Sequence, residues 1–322
     1  MNRRNFLQAA IVAGVASQAR LAWPQSGPDK LIFAEASKPG PRAMIEAADG
    51  LAGAPYAVEW SEFNATPLML TALAGGAVDV CGGGSTALVF LAANTPTLGL
   101  KAIFAQQIGG PGAQNGRILV PKDSPLHHVR DLKGKRIAVT RGTQLHYQVV
   151  EWLRRAGVRY DQVTLASLQP SEALAVLQRS EVDAWAVYEP YASVAELENG
   201  ARALEGTPML GDYGLVFASE QALEDPAKVA RIRDFLHRLA VSERWLQAHQ
   251  ERWIETAAKL TGLPEAVARR SAPRTLATPV AITDQVVASV QAQADVFREV
   301  GVINTPVNLA DAFDRRFADA LS

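Results

Sequence analysis

In the first part of this chain, segments whose apolar residues recur every second position alternate with segments whose apolar residues recur every three to four positions. This pattern predicts short strands separated by helices. Thr66-Pro67 supplies a threonine and a proline that suit the start of one helix, and a second helix is predicted over residues 85–93. The resulting β-α-β-α-β order predicts a parallel sheet with helices on both faces. The predicted strands cover residues 31–35, 56–60, 78–81 and 100–105.

The same pattern restarts after a glycine-rich loop at residues 109–116, with helices that begin at Thr143 and Ser171. The predicted strands of this second series cover residues 118–120, 136–139, 163–168 and 184–188. Residues 213–218 are predicted to form a strand that returns to the first series. Beyond Asp225 the apolar spacing is helical, and the tail is predicted to be helical through residues 308–321.

These patterns predict an α/β fold of two doubly wound lobes, joined by two crossing strands and followed by a helical C-terminal tail packed on the first lobe. The first lobe is expected to comprise residues 28–116 and 214–322, and the second lobe residues 117–213. Two lobes with a cleft between them are typical of proteins that close on a small solute.

The composition of the chain argues against nucleic-acid binding and against metal sites. The 322 residues are 48% hydrophobic and 20% charged, with a net charge of −1, so the chain can form two cores and shows no basic stripe for nucleic acid. The single cysteine, Cys81, excludes an intrachain disulfide and a multi-cysteine metal site. The five histidines lack the spacing of metal ligands. We therefore expect no metal, no cofactor and no catalytic residues.

The N-terminus indicates export. Arg3-Arg4 is followed by Phe6-Leu7 and a short apolar run, which resembles a twin-arginine signal. The alternative is a chance arginine pair before an amphipathic helix. Residues 1–22 are predicted to be the signal peptide, with cleavage after Ala19 or Ala22, and the mature protein is expected in the periplasm.

Two turns before predicted helices have the composition of anion sites. Gly84, Ser85 and Thr86 begin one helix, and Gly142, Thr143 and Gln144 begin another. Helix N-termini present unpaired N–H groups, and glycine lets the backbone approach a ligand closely. The alternative is that Ser85 and Thr143 are ordinary N-caps of their own helices.

Three cations are candidate partners of an anionic solute: Lys38 after the first strand, Arg117 on the crossing strand, and Arg141 in the second turn. Lys38 could instead be a solvated loop residue. Each arginine could instead pair with a carboxylate, and Glu189 is an obvious candidate.

The strand that leads into Glu189 supplies the remaining candidates. Tyr188, near its carboxyl end, is expected to contact the organic part of the solute, whereas Trp185 on the opposite face is expected in the core. Glu189 could receive an amino group of the solute or orient an arginine. His146 could line the cleft or could be a surface or capping residue.

The order and spacing of several segments resemble those of the aliphatic sulfonate/taurine-type solute-binding proteins of ABC importers. This resemblance covers nearly the whole mature chain, and the segments that carry it are 59–63, 72–80, 118–122, 131–139, 142–147 and 182–191. It implies a type II periplasmic-binding-protein fold whose lobes close on a solute and deliver it to a permease. Related members bind taurine, alkanesulfonates, nitrate or thiamine-pyrimidine precursors.

The chain departs from the family pattern at three places. It has Tyr188-Glu189-Pro190 where the family usually has Trp-Asp-Pro, and both glycine turns differ from the family's usual residues. The backbone anion chemistry is unaffected by these changes, but the side-chain specificity could differ.

The resemblance and the turns together predict a monomeric binding protein for an organosulfonate, working with an ABC permease and its ATPase. Nitrate, a carboxylate or a thiamine-pyrimidine precursor are the alternative solutes, and an extracytoplasmic sensor is the alternative role. Catalysis is disfavoured because no acid is placed behind a Ser85–His146 pair.

Overall fold

The computed structural model describes residues 30–35, 40–63, 66–95, 97–108, 115–208, 210 and 213–321. The predicted signal peptide, Lys38 and residues 109–114 of the glycine-rich loop lie outside these residues. Within the described ranges, no helix is both long and apolar enough to span a bilayer.

The elements alternate between strands and helices, as the sequence pattern predicts. In the first lobe they are β1 (Lys30–Glu35), α1 (Pro41–Ala47), β2 (Ala57–Glu62), α2 (Thr66–Ala74), β3 (Val80–Gly84), α3 (Ser85–Asn94) and β4 (Leu100–Ile108). In the second lobe they are β5 (Gly116–Val120), β6 (Arg136–Val139), α4 (Gln144–Arg155), β7 (Thr164–Ser167), α5 (Pro170–Gln178), β8 (Ala184–Tyr188), α6 (Tyr191–Asn199) and β9 (Arg202–Ala203). The remainder comprises β10 (Tyr213–Ser219), α7 (Glu220–Glu224), α8 (Pro226–Ala248), α9 (Gln250–Thr261), α10 (Glu265–Thr275), β11 (Ala277–Val280) and α11 (Asp284–Glu299).

The four predicted strands of the first sheet, β1 to β4, are parallel to one another as predicted, and the returning strand β10 makes the sheet mixed. Its order is β2-β1-β3-β10-β4-β11, with β1 parallel to β2 and β3, and with β10 antiparallel to both β3 and β4. The chain leaves this sheet from the carboxyl end of β4 and must return from the same side. The returning strand β10 therefore runs in the opposite direction.

The second sheet has the order β7-β6-β8-β5-β9. β6 is parallel to β7 and β8, whereas β5, which enters from the first lobe, is antiparallel to β8. Apolar cores lie on both faces of each sheet. The α/β class, the two lobes and the helical C-terminal region are confirmed, whereas the residue limits of the lobes stay a prediction.

The C-terminal tail differs from its prediction at two places. β11 is an unpredicted strand that adds to the edge of the first sheet beside β4. Residues 308–321 contain only single 3₁₀ turns at Ala310–Ala312 and Ala318–Leu321. Asn308 and Asp314 accept hydrogen bonds from backbone N–H groups two residues ahead, and such local bonds compete with a continuous helix.

Glu243 on α8 is a buried carboxyl group beneath the first sheet. Its only described side-chain hydrogen bond is with the amide of Gln106 on β4. Burial raises the pKa of Glu243 to about 8 from its ordinary value of 4.5. Between these pH values the folded protein keeps a proton that the unfolded chain has released. The free energy of unfolding therefore falls as the pH rises through this window.

We predict that Glu243→Gln removes this part of the pH dependence, because glutamine cannot ionise. The variant should gain up to a few kcal/mol of stability relative to the parent at pH 8.5, and little at pH 5. Thermal unfolding at a series of pH values measures the effect. Glu255→Gln on the exposed face of α9 is the control. A parent-like pH profile for Glu243→Gln would contradict the prediction.

Candidate functional site

The candidate site lies where α3 and α4 begin, each directly after a strand of its own lobe. Gly84 is the N-cap of α3 and Thr143 is the N-cap of α4, and neither helix has a side-chain cap. Ser85 is the first residue of α3 and not its N-cap. Thr143 occupies the N-cap position, but its hydroxyl donates to the carbonyl of Thr140 at 2.7 Å. In neither helix does the side chain of the N-cap residue accept a hydrogen bond from a first-turn N–H group.

The first turn is held from behind by Gln293 on α11. Thr86 Oγ1 donates to Gln293 Oε1 at 2.8 Å, and Gln293 Nε2 donates to Ser85 Oγ at 2.8 Å. Both hydroxyl groups are buried, and the Thr86 proton is committed to Gln293. A Cβ atom added at Gly84 would meet no atom within 4 Å, so the backbone of this turn faces open space.

The second turn depends on a glycine and a histidine. Gly142 has a φ of +76°, in the left-handed region that favours glycine. Its N–H donates to Nδ1 of the fully buried His146 at 3.3 Å. Burial, with a smaller effect of the charge on Arg141, lowers the pKa of His146 to about 4. The ring is therefore neutral at pH 7. Because Nδ1 accepts from Gly142, Nε2 carries the proton and donates it to the hydroxyl of Tyr160, with 2.9 Å between the nitrogen and the oxygen.

The two lobes meet beside these turns. Phe90 on α3 and Phe297 on α11 lie over the ring of His146, with centroid distances of 6.4 and 5.0 Å. Phe297 also contacts the ring of Tyr147 at 6.0 Å. Phe90 lies 3.8 Å from the position that a Cβ of Gly142 would take. The N-terminal turns of α3 and α4 therefore lie near one interface between the lobes.

A second contact between the lobes is a buried cluster of charges. Arg117 on β5 binds Glu189 at 3.2 Å and Glu196 on α6 at 2.9 Å. From the first lobe, Arg274 binds Glu189 at 2.7 Å, and Arg270 binds Glu196 at 3.1 Å. Burial lowers the pKa of Arg117, and the two carboxylates oppose that shift.

Glu189 is thus bound by protein groups on both oxygens, because its Oε2 accepts from the N–H of Ser193 at 3.0 Å. Arg117 and Glu189 form the pair that the sequence left as an alternative. The sequence did not indicate Arg270 and Arg274, because arginines on a tail helix have no local signal that distinguishes a contact with the other lobe from a solvated position.

The remaining candidates lie as follows. Trp185 is buried in the core, as predicted, whereas Tyr188 is partly exposed and its ring lies 5.9 Å from that of Tyr191. Burial raises the pKa of Tyr188. Arg141 is exposed, and Gln144 is the first residue of α4. Tyr188 ends β8 and Gln144 begins the helix that follows β6, so both lie at the carboxyl-end edge of these two parallel strands.

The chemistry available at this site is polar binding. In the part of the chain that the structure describes, no group of three or more histidine, cysteine, aspartate or glutamate side chains could hold a metal ion. Uncapped helix N-termini present N–H donors and about half a positive charge each, an arrangement suited to a small anion.

The family model described as the periplasmic substrate-binding protein of a phosphonate ABC transporter matches residues 56–267. The chain belongs to this family. It is 30% identical over 262 residues to an Escherichia coli protein described as aliphatic sulfonates-binding, covering 78% of this chain and 77% of that protein.

Solved structures agree with this assignment. The periplasmic aliphatic sulphonate binding protein of Escherichia coli has a TM-score of 0.76 and 26% identity, covering 89% of this chain and 92% of its own. The alkanesulfonate-binding protein of Xanthomonas axonopodis pv. citri, bound to MOPS, has a TM-score of 0.74 and 28% identity, covering 89% and 98%. The expected periplasmic-binding-protein fold is confirmed.

We predict that Arg274→Ala destabilises the contact between the lobes of this binding protein. Glu189 would keep Arg117 but lose its partner from the first lobe. The expected loss is about 2 kcal/mol, below the 3–5 kcal/mol of a fully buried pair because Arg274 is partly exposed. Thermal unfolding measures it.

The control for this prediction is Arg269→Ala, on the same helix. Arg269 pairs with Glu251 and Glu265 on the surface of the first lobe. Exposed pairs of this kind are worth about 0–1 kcal/mol. Equal losses from Arg269→Ala and Arg274→Ala would contradict a special role for the contact between the lobes.

Proposed function

We propose that this protein captures a small organic sulfonate between its two lobes and delivers it to the permease of an ABC importer. The observation that carries the proposal is the pair of uncapped helix N-termini near one interface between the lobes. The names of the relatives support a sulfonate as the solute, because both solved structures reported above are of sulfonate-binding proteins.

The anionic head is held mainly by backbone donors in this proposal. Gly84, Ser85 and Thr86 supply N–H groups from the first lobe, and Thr143 and Gln144 supply them from the second. The N–H of Gly142, which the sequence also offered as a donor, is already donated to His146. Hydrogen bonds to a charged group contribute about 1.5–3 kcal/mol each, so four or five of them could support micromolar affinity after the cost of association. Tyr188 contacts the organic part.

The other candidate residues have supporting roles. His146 holds the second turn in place through the N–H of Gly142, and Glu189 with Arg117 joins the lobes. Direct contacts of Lys38 and Arg141 with the solute stay predictions. Because Glu189 has protein partners on both oxygens, recognition of a solute amino group is not assigned to it.

Closure is the working step of the proposed mechanism. An open form binds the anion at one helix N-terminus, and closure adds the donors of the other lobe while water is expelled. The solute can shift this equilibrium only by its greater affinity for the closed form. The loaded, closed form then docks on the permease with its ATPase, as a monomer. Residues 1–22 are proposed to be removed on export to the periplasm.

The proposal is for binding without turnover, which agrees with the naming of the reported relatives as binding proteins. Incubation of the mature protein with ethanesulfonate should release no sulfite. Sulfite released in proportion to protein concentration would contradict this part of the proposal.

The experiment that tests the solute class is thermal unfolding of the mature chain with a panel of compounds. The panel contains taurine, alkanesulfonates of several lengths, an arylsulfonate, sulfate, nitrate, a dicarboxylate and a hydroxymethylpyrimidine. A ligand at a hundred times its Kd adds about 2.7 kcal/mol, a shift of a few degrees. We expect shifts with sulfonates and none with sulfate. An increase in Tm with nitrate, the dicarboxylate or the pyrimidine, and with no sulfonate, would reject a sulfonate as the solute.

The role of the second turn is tested by Gly142→Ala. Alanine at a φ of +76° is strained, and relief of that strain would turn the N–H groups away from the anion. Gly157→Ala is a matched control, because Gly157 has a φ of +72° just beyond the far end of α4. We expect comparable losses of stability, about 1 kcal/mol each, but a lower sulfonate affinity only for Gly142→Ala. Equal affinities in calorimetry would remove this turn from the site.

A further inference from the structure

Gln148 on α4 is a buried polar side chain that has no hydrogen-bond partner among the described residues. Its exposure is 0%, and neither Nε2 nor Oε1 makes a hydrogen bond in the residues that the structure describes. One turn earlier on the same face of α4, Nε2 of Gln144 is also enclosed and unpaired within the described chain. Buried amides are almost always hydrogen-bonded in native proteins, so two unpaired ones on one helix face require an explanation.

Gln148 lies beneath the edge of the second sheet at which β5 begins. A Cβ atom added at Gly116, the first residue of β5, would lie 3.5 Å from Gln148 Oε1. Gly116 is directly opposite Tyr188 in the pairing of β5 with β8. Residues opposite each other in antiparallel strands point to the same face, so the ring of Tyr188 lies on the α4 side of the sheet.

The core on that side of the sheet agrees with this position. Tyr188 packs against the apolar cluster that contains Leu145 of α4 and Ala186 of β8. We use the term glutamine subsite for Gln144, Gln148 and Tyr188. Within the described residues, it combines two amides that have unpaired atoms with a partly exposed aromatic ring on one side of the sheet.

The distance from the anion turn restricts what this subsite can bind. Gln144 is the first residue of α4 and Gln148 the fifth, which corresponds to about 6 Å along the axis. A sulfonate head at the first turn of α4 would therefore reach Gln148 with a group about four bonds from its sulfur. An amide offers both donors and an acceptor and carries no charge. Its best partner is a neutral group that can both donate and accept, such as a hydroxyl.

We infer that Gln148, assisted by Gln144, recognises a neutral hydrogen-bonding group on the tail of the solute. The protein therefore binds a hydroxyalkanesulfonate more tightly than a plain alkanesulfonate of the same length. This inference rests on the proposed function and specifies the chemical class of the tail of the sulfonate. A plain alkyl tail leaves the buried amides unpaired. An ammonium group on the tail could donate to the amide oxygen but could not accept from the amide NH₂ group.

The test compares 3-hydroxypropane-1-sulfonate with butane-1-sulfonate, which have the same number of chain atoms and differ by a hydroxyl in place of a methyl group. Isothermal titration calorimetry with the mature parent protein should give at least tenfold tighter binding of the hydroxyl compound. Gln148→Leu should lose this preference and keep or improve the affinity for butane-1-sulfonate. Gln148→Met is a second variant in case leucine disturbs the packing of α4.

Gln178→Leu, an exposed position on α5 of the same lobe, is the control and should keep the parental ratio of affinities. Equal affinities of the parent for the two compounds would overturn the inference, and so would an unchanged ratio in Gln148→Leu and Gln148→Met. Butane-1-sulfonate binding would leave the proposed function intact in both cases. Failure of both compounds to bind the parent would overturn the inference, and the solute panel described above would then decide whether the protein binds sulfonates at all.

Discussion

The relation between the two lobes depends on the buried carboxylate of Glu189. Its side chain is fully enclosed, and an enclosed charge is stable only with compensating partners. Arg117 and the N–H of Ser193 come from its own lobe, and Arg274 comes from the first lobe. The third of these partners is in place only when α10 of the first lobe lies against the second lobe. A residue that the sequence offered as a ligand contact instead joins the lobes.

The candidate site follows from the same contact between the lobes. With the lobes together, Phe90 and Phe297 cover His146, and the enclosed imidazole remains neutral. A neutral ring has a free lone pair on Nδ1, which accepts the N–H of Gly142. In the other lobe, the amide of Gln293 accepts a hydrogen bond from the hydroxyl of Thr86 and donates one to the hydroxyl of Ser85. Side chains thus fix both turns from behind, and the backbone N–H groups other than that of Gly142 remain for the anion.

Much of the fold could be predicted because its signals are local. Thr66-Pro67 at the start of α2 and Gly157 after α4 mark helix ends through backbone conformation. The alternation from Ala184 to Tyr188 separates the two faces of β8. The direction of β10 could not be predicted from its own residues, since it depends on the side from which the chain returns. β11 was missed because a four-residue segment has little pattern of its own.

The sequence by itself determined the α/β class, the two lobes, the two glycine turns and the resemblance to sulfonate-binding proteins. These properties depend on residue type and spacing, which the chain carries whether or not it is folded. The tertiary structure decided which side chains remain for a solute. Glu189, Arg117, His146 and Thr86 all find protein partners, whereas Gln148 finds none among the described residues. Hydrogen-bond partners come from distant segments, so only the folded chain determines which polar groups are paired.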